Sequence, residues 1–227
     1  MPESPAVSTT YDCSVPESRQ AGLAAAAAAV RSGQLVVLPT DTVYGLGCDA
    51  FDPSAVRSLL AAKGRGPQMP VPVLVGSWTT IDGLVLSVPA AARKLIEAFW
   101  PGGLSLVLPH APSLAWDLGD TRGTVMLRMP LHPVALELLR EVGPMAVSSA
   151  NRTGQPPATT AAEAKQQLGD DVPVYLDGGP SGDGRSDRPL PSTIVDLTGS
   201  DPLLLREGAV SADQVSDVLG IPVPLAR

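Results

Sequence analysis

Leu35-Val36-Val37-Leu38-Pro39-Thr40-Asp41-Thr42-Val43-Tyr44-Gly45-Leu46-Gly47-Cys48-Asp49-Ala50 is the stretch that opens the rest of the chain to reading. Its first four residues are a continuous apolar run, the pattern of a buried strand. Just beyond it stands Asp52-Pro53, a helix start with aspartate as cap and proline at the first helical position. The residues between read as a connecting loop with two threonines, a tyrosine and two glycines, where hydroxyls and close backbone approach are easily offered to a ligand. About a turn past the next helix come Lys63 and Arg65. Hydroxyls facing a pair of cations suit an anionic small molecule with polar substituents.

Working outward, the spacing predicts helices over 18–31, 55–62, 90–100, 134–142, 161–168 and 212–219. Strands are predicted over 35–38, 71–75, 104–108, 124–128, 145–148, 174–176, 193–197 and 203–205. Pro70 and Pro72 suggest that the second of these strands begins at a sheet edge or a bulge. Strands alternating with helices indicate an α/β domain, and the hairpin-like stretches indicate a mixed sheet. Neither an internal repeat nor a composition break divides the chain, so 17–227 reads as one domain behind a flexible tail at 1–16. Residues 178–189 contain no hydrophobic side chain apart from prolines and read as a surface loop of the kind that serves as a lid.

With 227 residues and 44% hydrophobic content the chain can bury a full core, built from Val, Leu and Ala because aromatics are only 4%. The net charge of -7 opposes a broad electrostatic grip on nucleic acid. Two distant cysteines, Cys13 and Cys48, fit neither a zinc site nor a disulfide framework. The acidic N-terminus carries no targeting signal, and the expected location is the cytoplasm.

Arginine supplies most of the positive charge. Lysine occurs at three places, and of these only Lys63 adjoins a glycine-rich loop. In Lys63-Gly64-Arg65 the glycine breaks the helix and would let both cations turn toward one point. Their other reading is a solvated helix end offsetting the dipole. Ser148-Ser149-Ala150-Asn151 follows a short apolar strand, and its hydroxyls, amide and backbone N–H groups could cradle an anion or merely satisfy their own loop. Arg128 and Arg206 each close an apolar run, as edge residues or as phosphate clamps, and Ser192 stands at a strand mouth. His110 and His132 read as structural or exposed. The inventory lacks a nucleophile–base pair or paired carboxylates. It favours positioning and charge stabilisation of a phosphate-bearing reactant.

Taken in order, PTDTVYGLGCDA, KGR, WPGGLSLVL, TVMLRMPLHP, SSANRTGQP and STIVDL followed by LLREG resemble the YrdC-type family, the L-threonylcarbamoyladenylate synthases. The resemblance runs from about Gln34 to Gly208, in the short single-domain bacterial form. It implies a twisted, mixed, open sheet with flanking helices around a large, positively lined cavity. It also implies a reaction in which L-threonine, bicarbonate and ATP, with Mg2+, give L-threonylcarbamoyl-AMP and pyrophosphate. A downstream threonylcarbamoyl-transferase complex then modifies the tRNA adenosine next to the anticodon, so tRNA is met indirectly or weakly and a membrane not at all.

By the same resemblance Lys63 and Arg65 would be catalytic and hold ATP phosphates. Ser149, Asn151 and Arg206 would bind the nucleotide. Thr40, Tyr44, Arg128 and Ser192 would serve the threonine side. One departure is visible: after KGR, the segment 66–74 reads GPQMPVPVL, and the polar or histidine position that some relatives have in this strand is apolar here. Two rival readings are an RNA-binding module without catalysis, opposed by the charge, and a carbamoyl-adenylate transfer enzyme of the hydrogenase-maturation type. The second lacks its acylphosphatase-like segment and zinc-finger cysteines here.

Overall fold

A computed structural model describes residues 8–182 and 190–226. Among these residues ten strands form one mixed sheet: β1 Thr9–Asp12, β2 Val36–Leu38, β3 Gly45–Asp49, β4 Val73–Leu74, β5 Leu104–Pro109, β6 Thr124–Arg128, β7 Met145–Ser149, β8 Val174–Asp177, β9 Thr193–Asp196 and β10 Leu203–Arg206. Their spatial order is β1-β8-β2-β3-β7-β4-β6-β5-β9-β10. Among the described residues six α-helices accompany them: α1 Pro16–Arg31, α2 Pro53–Ala62, α3 Ala90–Phe99, α4 Pro133–Val142, α5 Ala161–Leu168 and α6 Ala212–Leu219. Among the described residues no helix is long and apolar enough to cross a membrane.

Three expectations change. Within the predicted 1–16 tail, Thr9–Asp12 is a strand paired in parallel with β8. Its polar, largely exposed TTYD carries no buried face for a pattern to reveal, and its order comes from the ladder and from Tyr11 packed against Gly22. The glycine-rich half of the predicted loop, Gly45–Asp49, is an interior strand antiparallel to both β2 and β7. Glycine is required there by packing: a Cβ on Gly45 would lie 2.6 Å from Val147 Cγ1, and one on Gly47 2.9 Å from Met145 Cε. β4 lies in the sheet interior between β7 and β6 rather than at an edge. Pro72 is tolerated beside it because its carbonyl, which proline keeps, accepts from the Val147 N–H.

The predicted cap holds: Asp52 accepts from the N–H groups of Ser54 and Ala55 at 2.8 and 3.2 Å. Cys13 and Cys48 are buried free thiols, pushed up to about 11 and about 12 chiefly by burial.

Alternation along the strands sorts side chains into two layers. Leu46, Val73, Leu106, Leu127 and Val195 join α2, α3, α5 and α6 in the larger core, while Val36, Leu38, Val147 and Leu176 meet α1 and α4 on the opposite face. Alanines of α1 let that helix lie close to the sheet, but α1 and α4 cover only part of the face. Over β4, β6, β5, β9 and β10 the same side carries Leu74, Met126, Arg128, Ser105, Ile194 and Ser192, and these line a cavity. The uncovered half of one sheet face is therefore the floor of the site.

Candidate active site

The cavity has a volume of about 340 Å³ and is lined by Arg65, Arg128 and Arg206, by hydroxyls of Thr40, Thr42, Ser105, Ser148, Ser149 and Ser192, and, among the described residues, by no carboxylate. That size lies within the range of small-molecule sites. Its wall from the 66–74 segment is Met69, Pro70, Pro72 and Leu74, apolar as its sequence suggests.

One rim is the turn after β2. Thr40 Oγ1 donates to the Val43 carbonyl at 2.7 Å and accepts from the Thr42 N–H at 3.2 Å. Thr42 Oγ1 accepts from Arg128 Nη1 at 2.8 Å, while Arg128 Nε donates to the Gly102 carbonyl at 2.9 Å. The third arm of the guanidinium meets Asp41 Oδ1 at 2.6 Å, an oxygen that also accepts from the Leu131 N–H at 2.8 Å. Burial lowers the Arg128 pKa, and Asp41 works against that fall. Sequence reasoning passed over Asp41 and Thr42 as ligands of this arginine, because a pairing across 87 positions leaves no local signal.

The second rim is the end of α2. Gly64 takes a left-handed φ of 64°, as a helix-breaking glycine should, but the two cations do not converge. Arg65 faces the cavity, donating from Nη1 to Ser148 Oγ and from Nε to Thr153 Oγ1, both at 3.2 Å. Lys63 is only 1% exposed and stands behind the lining. Its ammonium donates to the carbonyls of Ser149 and Asn151, the latter at 2.7 Å, and to Asn151 Oδ1 at 3.3 Å. Asn151 is likewise turned inward, its Nδ2 donating to the carbonyls of Arg152 and Gln155. Lys63 and Asn151 thus lock the loop that presents Ser149.

The expectation of free loop amides is corrected: Ala150 N–H donates to the Tyr44 carbonyl, Asn151 N–H to the Ser149 carbonyl and Thr153 N–H to the Lys63 carbonyl. The polar side chains that this rim turns to the cavity are instead Arg65, Ser148 and Ser149. Tyr44 lines the cavity, yet its hydroxyl is engaged by the Gly178 N–H at 3.0 Å and the Gly179 carbonyl at 2.6 Å. It braces the start of the 178–189 segment, of which 183–189 lie outside the described residues.

The third rim is β9 with β10. Ser192 Oγ lies 2.9 Å from Ser105 Oγ, and Arg206 donates to the Ser192 carbonyl from Nε and Nη2 at 2.9 and 2.7 Å. Regular alternation from buried Leu204 would return Arg206 to the core face. A bulge at Leu205 instead sets Arg206 opposite Ile194, a cavity residue. Partial enclosure, then the nearby Arg128, lower the Arg206 pKa.

Burial, then Arg65, brings the Lys63 pKa down from 10.5 to about 7. The unfolded chain therefore holds this proton to higher pH than the folded one, so ligand-free stability rises with pH above about 7. The gain is up to about 1.4 kcal/mol per pH unit. The two raised thiols oppose this above their ordinary 9.0. Between pH 7.5 and 8.5 the stability from urea unfolding should climb in the unmodified protein and flatten in Lys63→Met.

A model of the Sua5/YciO/YrdC family, described as "Telomere recombination", matches residues 28–208. The chain belongs to this family. It is 64% identical over 212 residues to a Mycobacterium tuberculosis protein named putative threonylcarbamoyl-AMP synthase, covering 93% of this chain and 95% of that one. It is 39% identical to the Bacillus subtilis threonylcarbamoyl-AMP synthase, covering 87% of this chain and 56% of that protein. In structure it is similar to Pyrococcus abyssi Sua5 in complex with L-threonine, with a TM-score of 0.86, 32% identity, and coverage of 96% of this chain and 62% of that one. Within the Sua5/YciO/YrdC frame, the structure gathers Thr40, Arg65, Arg128, Ser149, Ser192 and Arg206 at one cavity. Lys63 and Asn151 act on it from behind.

Proposed function

We propose that this chain joins L-threonine, bicarbonate and ATP into L-threonylcarbamoyl-AMP and pyrophosphate. The observation that carries the reading is a hollow with three arginines, six serine and threonine hydroxyls and, among the described residues, no lining carboxylate, in a family whose curated relatives bear the synthase name. The threonine amine and bicarbonate condense to a carbamate with loss of water. A carbamate oxygen then displaces pyrophosphate from the α-phosphorus. Both partners are anions, so their approach is the main barrier, and fixed guanidinium groups offset it without reorganising.

Arg65 with Ser148 and Ser149 suits the phosphates, and Arg128 with Thr40 and Thr42 suits the amino-acid side. Arg206 and Ser192 close the nucleotide end. Among the described residues there is no cluster of metal-binding side chains, and Asp41 is already engaged by Arg128. Mg2+ would enter with ATP and would help offset the phosphate charge beside Arg65. Residence in the cytoplasm and delivery of the product to a tRNA-modifying transferase belong to the same proposal.

Pyrophosphate release should require both threonine and bicarbonate. Serine, lacking one methyl, should be disfavoured only about 10–200-fold in kcat/KM, and valine, which cannot satisfy a buried hydroxyl partner, more strongly. Release that proceeds unchanged without either co-substrate would sink the assignment.

A further inference from the structure

We infer that Thr193 is a positioning residue for Arg206, acting through the chain that follows β10. Ser192 and Thr193 are neighbours that face opposite ways. Ser192 looks into the cavity and receives the Arg206 guanidinium on its carbonyl and, at 3.1 Å, on its hydroxyl. Thr193 is fully buried on the core side. Its Oγ1 donates to the Val210 carbonyl and accepts from the N–H groups of Gly208 and Val210, both at 2.9 Å. One hydroxyl thus uses its donor and both acceptor positions on a single turn.

Arg206 needs such an anchor. It ends its strand in a bulge, where the ladder with β9 is already interrupted. The chain then doubles back so closely that a Cβ on Gly208 would lie 2.1 Å from the Pro191 carbonyl oxygen, and Ala209 N–H donates to that same oxygen at 2.9 Å. The turn over 207–210 is clamped onto 191–193, and the clamp begins two residues beyond the arginine. Valine at 193 would keep the side-chain shape and leave two amides and a carbonyl without their partner. The guanidinium would keep its chemistry and lose its fixed place.

This inference rests on ATP being bound in this cavity. The test measures KM for ATP and kcat, in pyrophosphate release dependent on threonine and bicarbonate, on the full chain and its Thr193→Val, Thr193→Ala, Thr193→Ser, Arg206→Ala and Thr193→Val/Arg206→Ala forms. Thr193→Val and Thr193→Ala should each raise KM for ATP roughly tenfold, with kcat changed less. Thr193→Ser, which retains the hydroxyl, should stay within about twofold of the unmodified chain. The double variant should match Arg206→Ala alone, because a displaced residue that is absent cannot be displaced again. Should Thr193→Val fail to fold, the alanine and serine variants carry the comparison. An unmodified chain without co-substrate-dependent release would remove the functional reading itself. With that release intact, the inference is overturned by unchanged KM in Thr193→Val or Thr193→Ala, by a serine variant as weak as the alanine one, or by losses that multiply in the double variant.

Discussion

Lys63→Ala should lower pyrophosphate release by about a hundredfold or more, on the scale of losing one fixed group at a charged transition state. It should also destabilise the fold by about 2–4 kcal/mol, since buried carbonyls are left unpaired. Both effects have one source. The ammonium holds the carbonyls of Ser149 and Asn151 and the Asn151 side chain together, and that loop sets Ser149 at the cavity rim. Burial and Arg65 leave its proton loosely held, and an incoming phosphate would raise its affinity for that proton. Lys63→Arg is the informative companion. Its planar fork cannot reproduce three convergent bonds from one nitrogen, so charge without geometry should restore little. Urea unfolding and a co-substrate-dependent release assay would check the two arms. Near-normal turnover in Lys63→Ala would remove this residue from the mechanism.

Much of this arrangement was legible in the sequence, and the exceptions share a cause. The apolar run at 35–38, the Asp52-Pro53 helix start and the arginines closing β6 and β10 are local signals, set by periodicity and capping, and each stands where it was expected. What sequence could not give was direction. Gly45-x-Gly47 reads as loop from its composition, yet it is a strand because Val147 and Met145 need the space. Lys63 and Arg65 are two residues apart and look equivalent, but one turns behind the lining and the other into it. Arg206 reaches the cavity because of a single extra residue in β10, and alternation alone would have sent it to the core. β1 was missed because a short polar edge strand draws its order from its neighbour rather than from its own pattern.

Arg128→Met should destabilise the protein by about 3–5 kcal/mol, the range seen when one partner of a buried ion pair is removed. The guanidinium and the Asp41 carboxylate are 8% and 17% exposed, so solvent screens them little. Methionine would also deprive Thr42 Oγ1 and the Gly102 carbonyl of a donor. Asp41→Asn should cost less, because an amide oxygen can still accept from Arg128 and from the Leu131 N–H. The two changes together should cost clearly less than their sum, since removing the second partner relieves a charge that the first left bare. Activity should separate the pair differently. Asp41→Asn keeps the cation at the site but frees its orientation, so KM for threonine should rise more than kcat falls. Arg128→Met should raise KM and lower kcat together. Urea denaturation of the four proteins gives the energetic cycle, and threonine saturation curves give the kinetic one. Strict additivity would mean that Asp41 and Arg128 sit close without acting as a unit, and the charge balance assigned to this rim would then be wrong.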